Sequence, residues 1–253
     1  MTTIRLLYEL FNDESHTLPT YSYSIANIVN TAVFAYISGK LGKLYNDPDK
    51  AAKHGYLWLV HDLHERGIYC TYKGMFNAIE YNNLDIVRYL FENGFRDRVF
   101  DAFSHDYANL AAEKGHLDIL MYLRNSQKTN CTREGAYSAI ICDHLHIIKY
   151  LGECGAVILT PLAYFNAVNW GHCDILRYLY ENKHLFEIKY ETEYCKKMGK
   201  PSSDMANLAT ILGHLDILMY LVEIGVPCDI RIKNNASFHR HHNIVEYLTK
   251  IGI

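Results

Sequence analysis

The string Gly-His-Leu-Asp-Ile-Leu-Met-Tyr-Leu stands at 115–123 and again, letter for letter, at 213–221. Sliding the chain against itself from that string finds seven copies of a looser pattern around turn residues Gly55, Asn82, Gly115, Asp143, Gly171, Gly213 and Arg240. The intervals are 27, 33, 28, 28, 42 and 27 residues. Self-similarity at this period restricts the fold to small stacked units, none of which can bury its apolar face alone.

Counting each turn as zero, alanine stands at −4 in every copy: Ala51, Ala78, Ala111, Ala139, Ala167, Ala209 and Ala236. Leucine stands at +8 in every copy: Leu63, Leu90, Leu123, Leu151, Leu179, Leu221 and Leu248. Position +4 holds Leu59, Ile86, Ile119, Ile147, Ile175, Ile217 and Ile244, followed by another aliphatic residue. Apolar side chains at +4, +5 and +8 share one face of a helix, so the segment after each turn reads as amphipathic and helical. Glycine at +12 in five copies (Gly67, Gly94, Gly155, Gly225, Gly252) ends that helix. The segment before the turn reads as a shorter helix, whose alanine lets a neighbouring unit approach without overpacking.

The segments "LAAEKGHLDILMYLRN", "AIEYNNLDIVRYLFENGF" and "LATILGHLDILMYLVEIGV" resemble the ankyrin repeat, whose core carries Ala-Ala, two variable residues, Gly-His-Leu, an acid, then aliphatic pairs. The resemblance implies an all-α, ankyrin-type helix-turn-helix solenoid of about seven repeats over residues 46–253. The usual Thr-Pro-Leu-His opening is absent and the 27- and 28-residue spacings are short, so short or truncated β-hairpin fingers are expected. The short period and the tyrosine at +7 in six copies, replaced by Asp62 in the first, resemble the ankyrin arrays of giant DNA viruses of amoebae. Residues 1–45 lie outside the repeat and read as an N-terminal helical cap or a small recruiting module. The 42-residue interval carries an insertion near 182–204.

Composition removes several classes of function. The 25 basic and 28 acidic side chains are mixed along the chain, without the basic stripe of a nucleic-acid binder. Seven cysteines, none in CxxC spacing, suit neither a disulfide framework nor a zinc site and read as reduced thiols of a cytoplasm-like compartment. The start lacks a signal-peptide layout, so the sequons at Asn130 and Asn235 read as chance. The apolar stretch from Ile25 is too short to span a bilayer. Fourteen histidines invite a search for chemistry, but His116, His144, His172, His214 and His241 all fall at +1. That recurrence favours hydrogen bonding to backbone over catalysis. The cluster "FHRHHN" at 238–243 lacks a cysteine or carboxylate to complete a metal site. Asp85, Asp118, Asp174 and Asp216 recur at +3, where the helix dipole favours negative charge. No phosphate loop, nucleophile elbow or zinc-protease motif occurs. No cofactor, metal, small-molecule substrate or enzymatic activity is expected.

What the resemblance implies instead is a protein partner, held on the concave face of the inner helices by the variable residues at −2 and −1. In this chain those are Lys53 and His54, Glu80 and Tyr81, Glu113 and Lys114, Ile141 and Cys142, Asn169 and Trp170, Ile211 and Leu212, and Phe238 and His239. The early pairs are charged or polar and the later ones apolar around Trp170, the composition of an interface hot spot. The expectation is a non-catalytic interaction scaffold, with repeats four to seven carrying the main site. Whether the 182–204 insertion covers that patch or helps to form it stays open. Two alternatives remain: a ubiquitin-ligase-type adaptor recruiting through residues 1–45, and a structural component of a virion or other assembly. The expected location is the cytoplasm, the host's if the chain is viral, or the virion.

Overall fold

A computed structural model describes residues 46–93, 106–155, 162–185 and 201–253. The expectations for residues 1–45, for Gly94 and for most of the insertion (186–200) lie outside the described residues. Seven helix pairs are seen, one per repeat. They are α1 (Pro48–Lys53) with α2 (Leu57–Glu65), α3 (Tyr72–Glu80) with α4 (Leu84–Glu92), and α5 (106–113) with α6 (Leu117–Gln127). Then come α7 (Arg133–Ile141) with α8 (Leu145–Glu153), α9 (Leu162–Trp170) with α10 (Cys173–Glu181), α11 (Ser203–Leu212) with α12 (Leu215–Glu223), and α13 (Ile230–Phe238) with α14 (His242–Lys250).

Each pair is closed by the same backbone device. All seven turn residues take a positive φ, including the non-glycines Asn82, Asp143 and Arg240 at 58°, 61° and 61°. In every unit the amide at +1 donates to the carbonyl of the −4 alanine, as His116 N does to Ala111 O at 2.8 Å and His214 N to Ala209 O at 2.9 Å. This six-to-one bond across a left-handed residue is a Schellman end, which satisfies carbonyls that the finished inner helix would leave bare. A positive-φ residue likewise follows the outer helix at Gly67, Gly155, Gly225 and Gly252, and Lys128 (φ 58°) takes that place after α6.

The seven −4 alanines are completely buried, as are the aliphatic residues at +4 and +8. Inner helix lies against inner helix (α1 on α3, α7 on α9, α9 on α11, α11 on α13) and outer against outer (α2 on α4, α4 on α6, α8 on α10, α10 on α12). Two helical layers therefore enclose one continuous core, to which each unit adds side chains worth roughly 1.5–3 kcal/mol each when fully buried.

The expected β-hairpin fingers are not seen: among the described residues there is no strand. The links 66–71, 128–132 and 224–229 run directly into the next inner helix. They end on small polar caps eleven residues before the turn: Thr71, Thr132 and Asp229, with Ser202 equivalent. Thr71 Oγ1 accepts from Lys73 N, and Asp229 Oδ1 accepts from Arg231 N. The preceding unit pins two of these links. Asp49 accepts from Thr71 N (2.8 Å) and Asn109 from Thr132 N (2.8 Å), so a link of this length has its start and finish fixed without strand pairing.

Candidate functional site

The inner-helix ends and turns form one edge of the stack, and its side chains divide into two sets. Those at +1 reach backwards. His116 Nε2 donates to Glu80 O at 3.1 Å, His172 Nε2 to Ile141 O at 3.0 Å and His241 Nε2 to Ile211 O at 2.9 Å. In unit two Asn83 Nδ2 does the same toward Ala52 O (2.7 Å) and Lys53 O (3.2 Å). The acceptor is a carbonyl at or beside −2 of the preceding unit, so each neutral ring must carry its proton on Nε2. The rings also lie over the turn backbone: a Cβ placed on Gly115, Gly171 or Gly213 would come within 2.8, 2.8 and 2.7 Å of the next unit's histidine ring. The recurring histidines are therefore fasteners between repeats. His144 makes the equivalent bond to Glu113 in unit four. Its pKa is lowered by burial and by the nearby His146 and His116, against the opposing pull of that bond and of Asp143.

The second set faces solvent. At −1, Tyr81, Cys142, Trp170 and Leu212 are exposed, Trp170 by 53% and Leu212 by 40%. At −2, Glu113, Ile141, Asn169 and Ile211 are partly exposed. Exposure is thus greater at −1 than at −2 in units four to six, whereas in unit two Glu80 at −2 is exposed along with Tyr81. Phe238, at −2 of the seventh unit, is 81% exposed because no described unit packs on it, so its exposure reflects its place in the stack. Lys114 is half-buried and engaged: Glu113 lies 3.0 Å away, and that contact holds the ammonium pKa above its ordinary value.

Charge on the edge is uneven. At +3, His146 reaches the preceding turn, bonding Gly115 O at 2.9 Å. Asp118, Asp174 and Asp216 occupy that position exposed, and Asp143 adds a carboxylate at a turn with 61% of its side chain accessible. From −2 to +3 in units three to six the one lysine or arginine is Lys114.

Elsewhere the side chains are absorbed by the scaffold. On the outer helices a cation at +6 stacks on the +7 tyrosine of the next unit: Arg88 over Tyr122 (5.7 Å), Lys149 over Tyr178 (5.8 Å) and Arg177 over Tyr220 (4.2 Å). An open cavity of about 490 Å³ at the end of α6 is lined by Arg124, Asn125, Lys128 and Asn130. Its cations already serve carbonyls: Arg124 Nη2 donates to Cys154 O at 3.0 Å and Lys128 Nζ to Asn125 O at 3.1 Å. Burial raises the Cys131 thiol to about 12, and Cys70 is raised likewise, which leaves both poor nucleophiles at neutral pH. Among the described residues no group of three or more His, Cys, Asp or Glu side chains could hold a metal ion. No helix among them is long and apolar enough to cross a membrane.

The fasteners and the N-caps were the features least visible in the sequence. The caps had a readable signal, a Thr, Ser or Asp at −11. The fasteners had only the recurrence of histidine, which says nothing of the unit it bonds. No family model and no curated protein matches the chain.

Proposed function

We propose that this chain is a non-catalytic, ankyrin-type interaction scaffold whose turn edge, centred on Trp170 and Leu212, holds a protein partner. One observation carries the reading: two large apolar side chains stand exposed at the same register of adjacent units, 53% and 40% accessible. Neither is needed to close the core, which the −4, +4 and +8 residues fill. A Trp presented on a rigid helix end loses little conformational entropy on binding, which is the usual make-up of an energetic anchor.

The test is affinity capture from a lysate of the native host with the wild-type chain and with Trp170→Glu/Leu212→Glu. Because both residues are exposed, helical circular dichroism should be unchanged. A partner retained by the wild type and lost by the variant supports the reading, and identical captured sets overturn it.

A further inference from the structure

We propose that the turn edge of units three to six takes a cationic amphipathic α-helix lying along the stack, an inference that rests on the reading of this edge as a partner site. The apolar residues on the edge come one per unit, at Cys142, Trp170 and Leu212. Inner helices in contact lie about 8–10 Å apart, so the row has a period of that size. A partner α-helix rises about 10.5 Å in seven residues and returns to nearly the same face, so a heptad-spaced apolar stripe matches the row. An extended strand matches less well: three residues span about 10 Å, but alternate side chains leave by opposite faces.

Charge selects among amphipathic helices. Asp143 stands at a turn next to Cys142, and Asp118, Asp174 and Asp216 stand exposed four residues after Lys114, Trp170 and Leu212, at the register from which His146 reaches the preceding turn. The one ammonium in that stretch, Lys114, is occupied by Glu113 at 3.0 Å. The carboxylates at +3 stabilise their own helix N-termini, yet they remain exposed, so their field extends over the apolar row. A helix with acidic flanks would be repelled and a neutral one left without steering, whereas Lys or Arg beside the stripe would meet carboxylates along the row.

The experiment uses the full chain and three synthetic peptides of about three heptads, identical in leucine at the two core positions of each heptad, with flanking positions all Lys, all Gln or all Glu. Binding is read by fluorescence anisotropy. The Lys peptide should bind about tenfold more tightly than the Gln peptide, and the Glu peptide should not bind. Raising salt from about 0.05 M to about 0.5 M should erase most of the Lys advantage. Asp174→Asn/Asp216→Asn should weaken the Lys peptide about threefold or more and leave the Gln peptide unchanged, while Trp170→Glu/Leu212→Glu should lose both. A Lys peptide interrupted by proline in each heptad should fail to bind, and undiminished binding would overturn the helical geometry.

Equal binding of all three peptides, abolished by Trp170→Glu/Leu212→Glu, would overturn the charge selection and leave the apolar site standing. Binding of none would overturn the cationic-helix inference, and the proposed function would then stand or fall on the lysate capture alone.

Discussion

Units two and three and units five and six present the same backbone at their turns and use the exposed −1 position in opposite ways. In the early units the side chains there are matched from within the chain: Lys53 Nζ sits 4.8 Å above the Tyr81 ring, and Lys114 is held by Glu113 at 3.0 Å. In the later units Trp170 and Leu212 occupy the same place with their apolar surface open to water. Beneath them Asn83, His116 and His172 bond back to the preceding unit, and the His214 ring lies over Gly171. Repetition therefore fixes the platform, and the difference between the regions lies wholly in what stands on it.

The largest effect should fall on the later region alone. Trp170→Glu/Leu212→Glu should reduce partner capture at least a hundredfold, about 2.7 kcal/mol of binding free energy, whereas Tyr81→Glu should change it less than about threefold. Quantitative pull-down with the two variants side by side checks this. Equal losses would mean that the whole edge binds and that the contrast between regions has no functional content.

The platform should instead respond alike in both regions. Gly115→Ala and Gly171→Ala each force a side chain into a left-handed residue (φ 74° and 80°) and into the next unit's histidine ring. A cost of about 2–4 kcal/mol is expected from the strain and the overpacking together. Gly67→Ala meets nothing within 4 Å and should show the strain alone, about 1–2 kcal/mol. Urea titrations that separate Gly115 from Gly171 would show that the two regions differ in their joints as well as in their surfaces.

The joints were partly legible in the sequence. Asn82 and Asp143 are residue types that tolerate positive φ and Arg240 is not, yet the fixed distances from the −4 alanine to the +8 leucine placed the turn on all three, and the backbone agrees. Register carried more information than composition. Short or truncated fingers were expected from the resemblance and the short spacings, and the five or six residues of links such as 128–132 and 66–71 hold no strand pair at all. Nor could the sequence show which backbone groups each +1 side chain reaches. His172 and His241 each come down on the −2 carbonyl of the preceding unit, a contact about thirty residues away in sequence.

The fasteners themselves are a smaller contribution. His116→Ala and His172→Ala should each destabilise by about 1 kcal/mol, one hydrogen bond's worth, with the carbonyl left to solvent. Substitution by Asn at either site should recover part of the loss, since Asn83 makes the same connection in unit two. Smaller still is Lys53→Ala, expected to cost about 0.5 kcal/mol through the lost ammonium–ring contact with Tyr81. Trp170→Ala should not alter stability measurably. A Trp170→Ala chain that melted early would assign that ring to the scaffold and remove it from the open surface.

The most delicate effect is in acid, and it centres on His144, between the two regions. Its pKa is lowered in the folded chain, first by burial and then by the nearby His146 and His116, so folding favours the neutral ring. The folded state binds fewer protons there than the unfolded state, and stability must therefore rise with pH across that range. The contribution is complete above the unfolded histidine value of about 6.5 and is lost as pH falls from there through the depressed folded value. The loss has nothing to do with breaking the bond to Glu113, because an imidazolium donates from Nε2 as well as a neutral ring does. It comes from placing charge in a half-buried site beside the rings of His146 and His116. His144→Asn keeps a donor of the kind Asn83 provides and removes the titration. A melting curve followed from pH 8 to pH 5 should then fall less steeply for the variant than for the wild type. Parallel slopes would show that the His144 ring makes no contribution to the acid sensitivity of the stack.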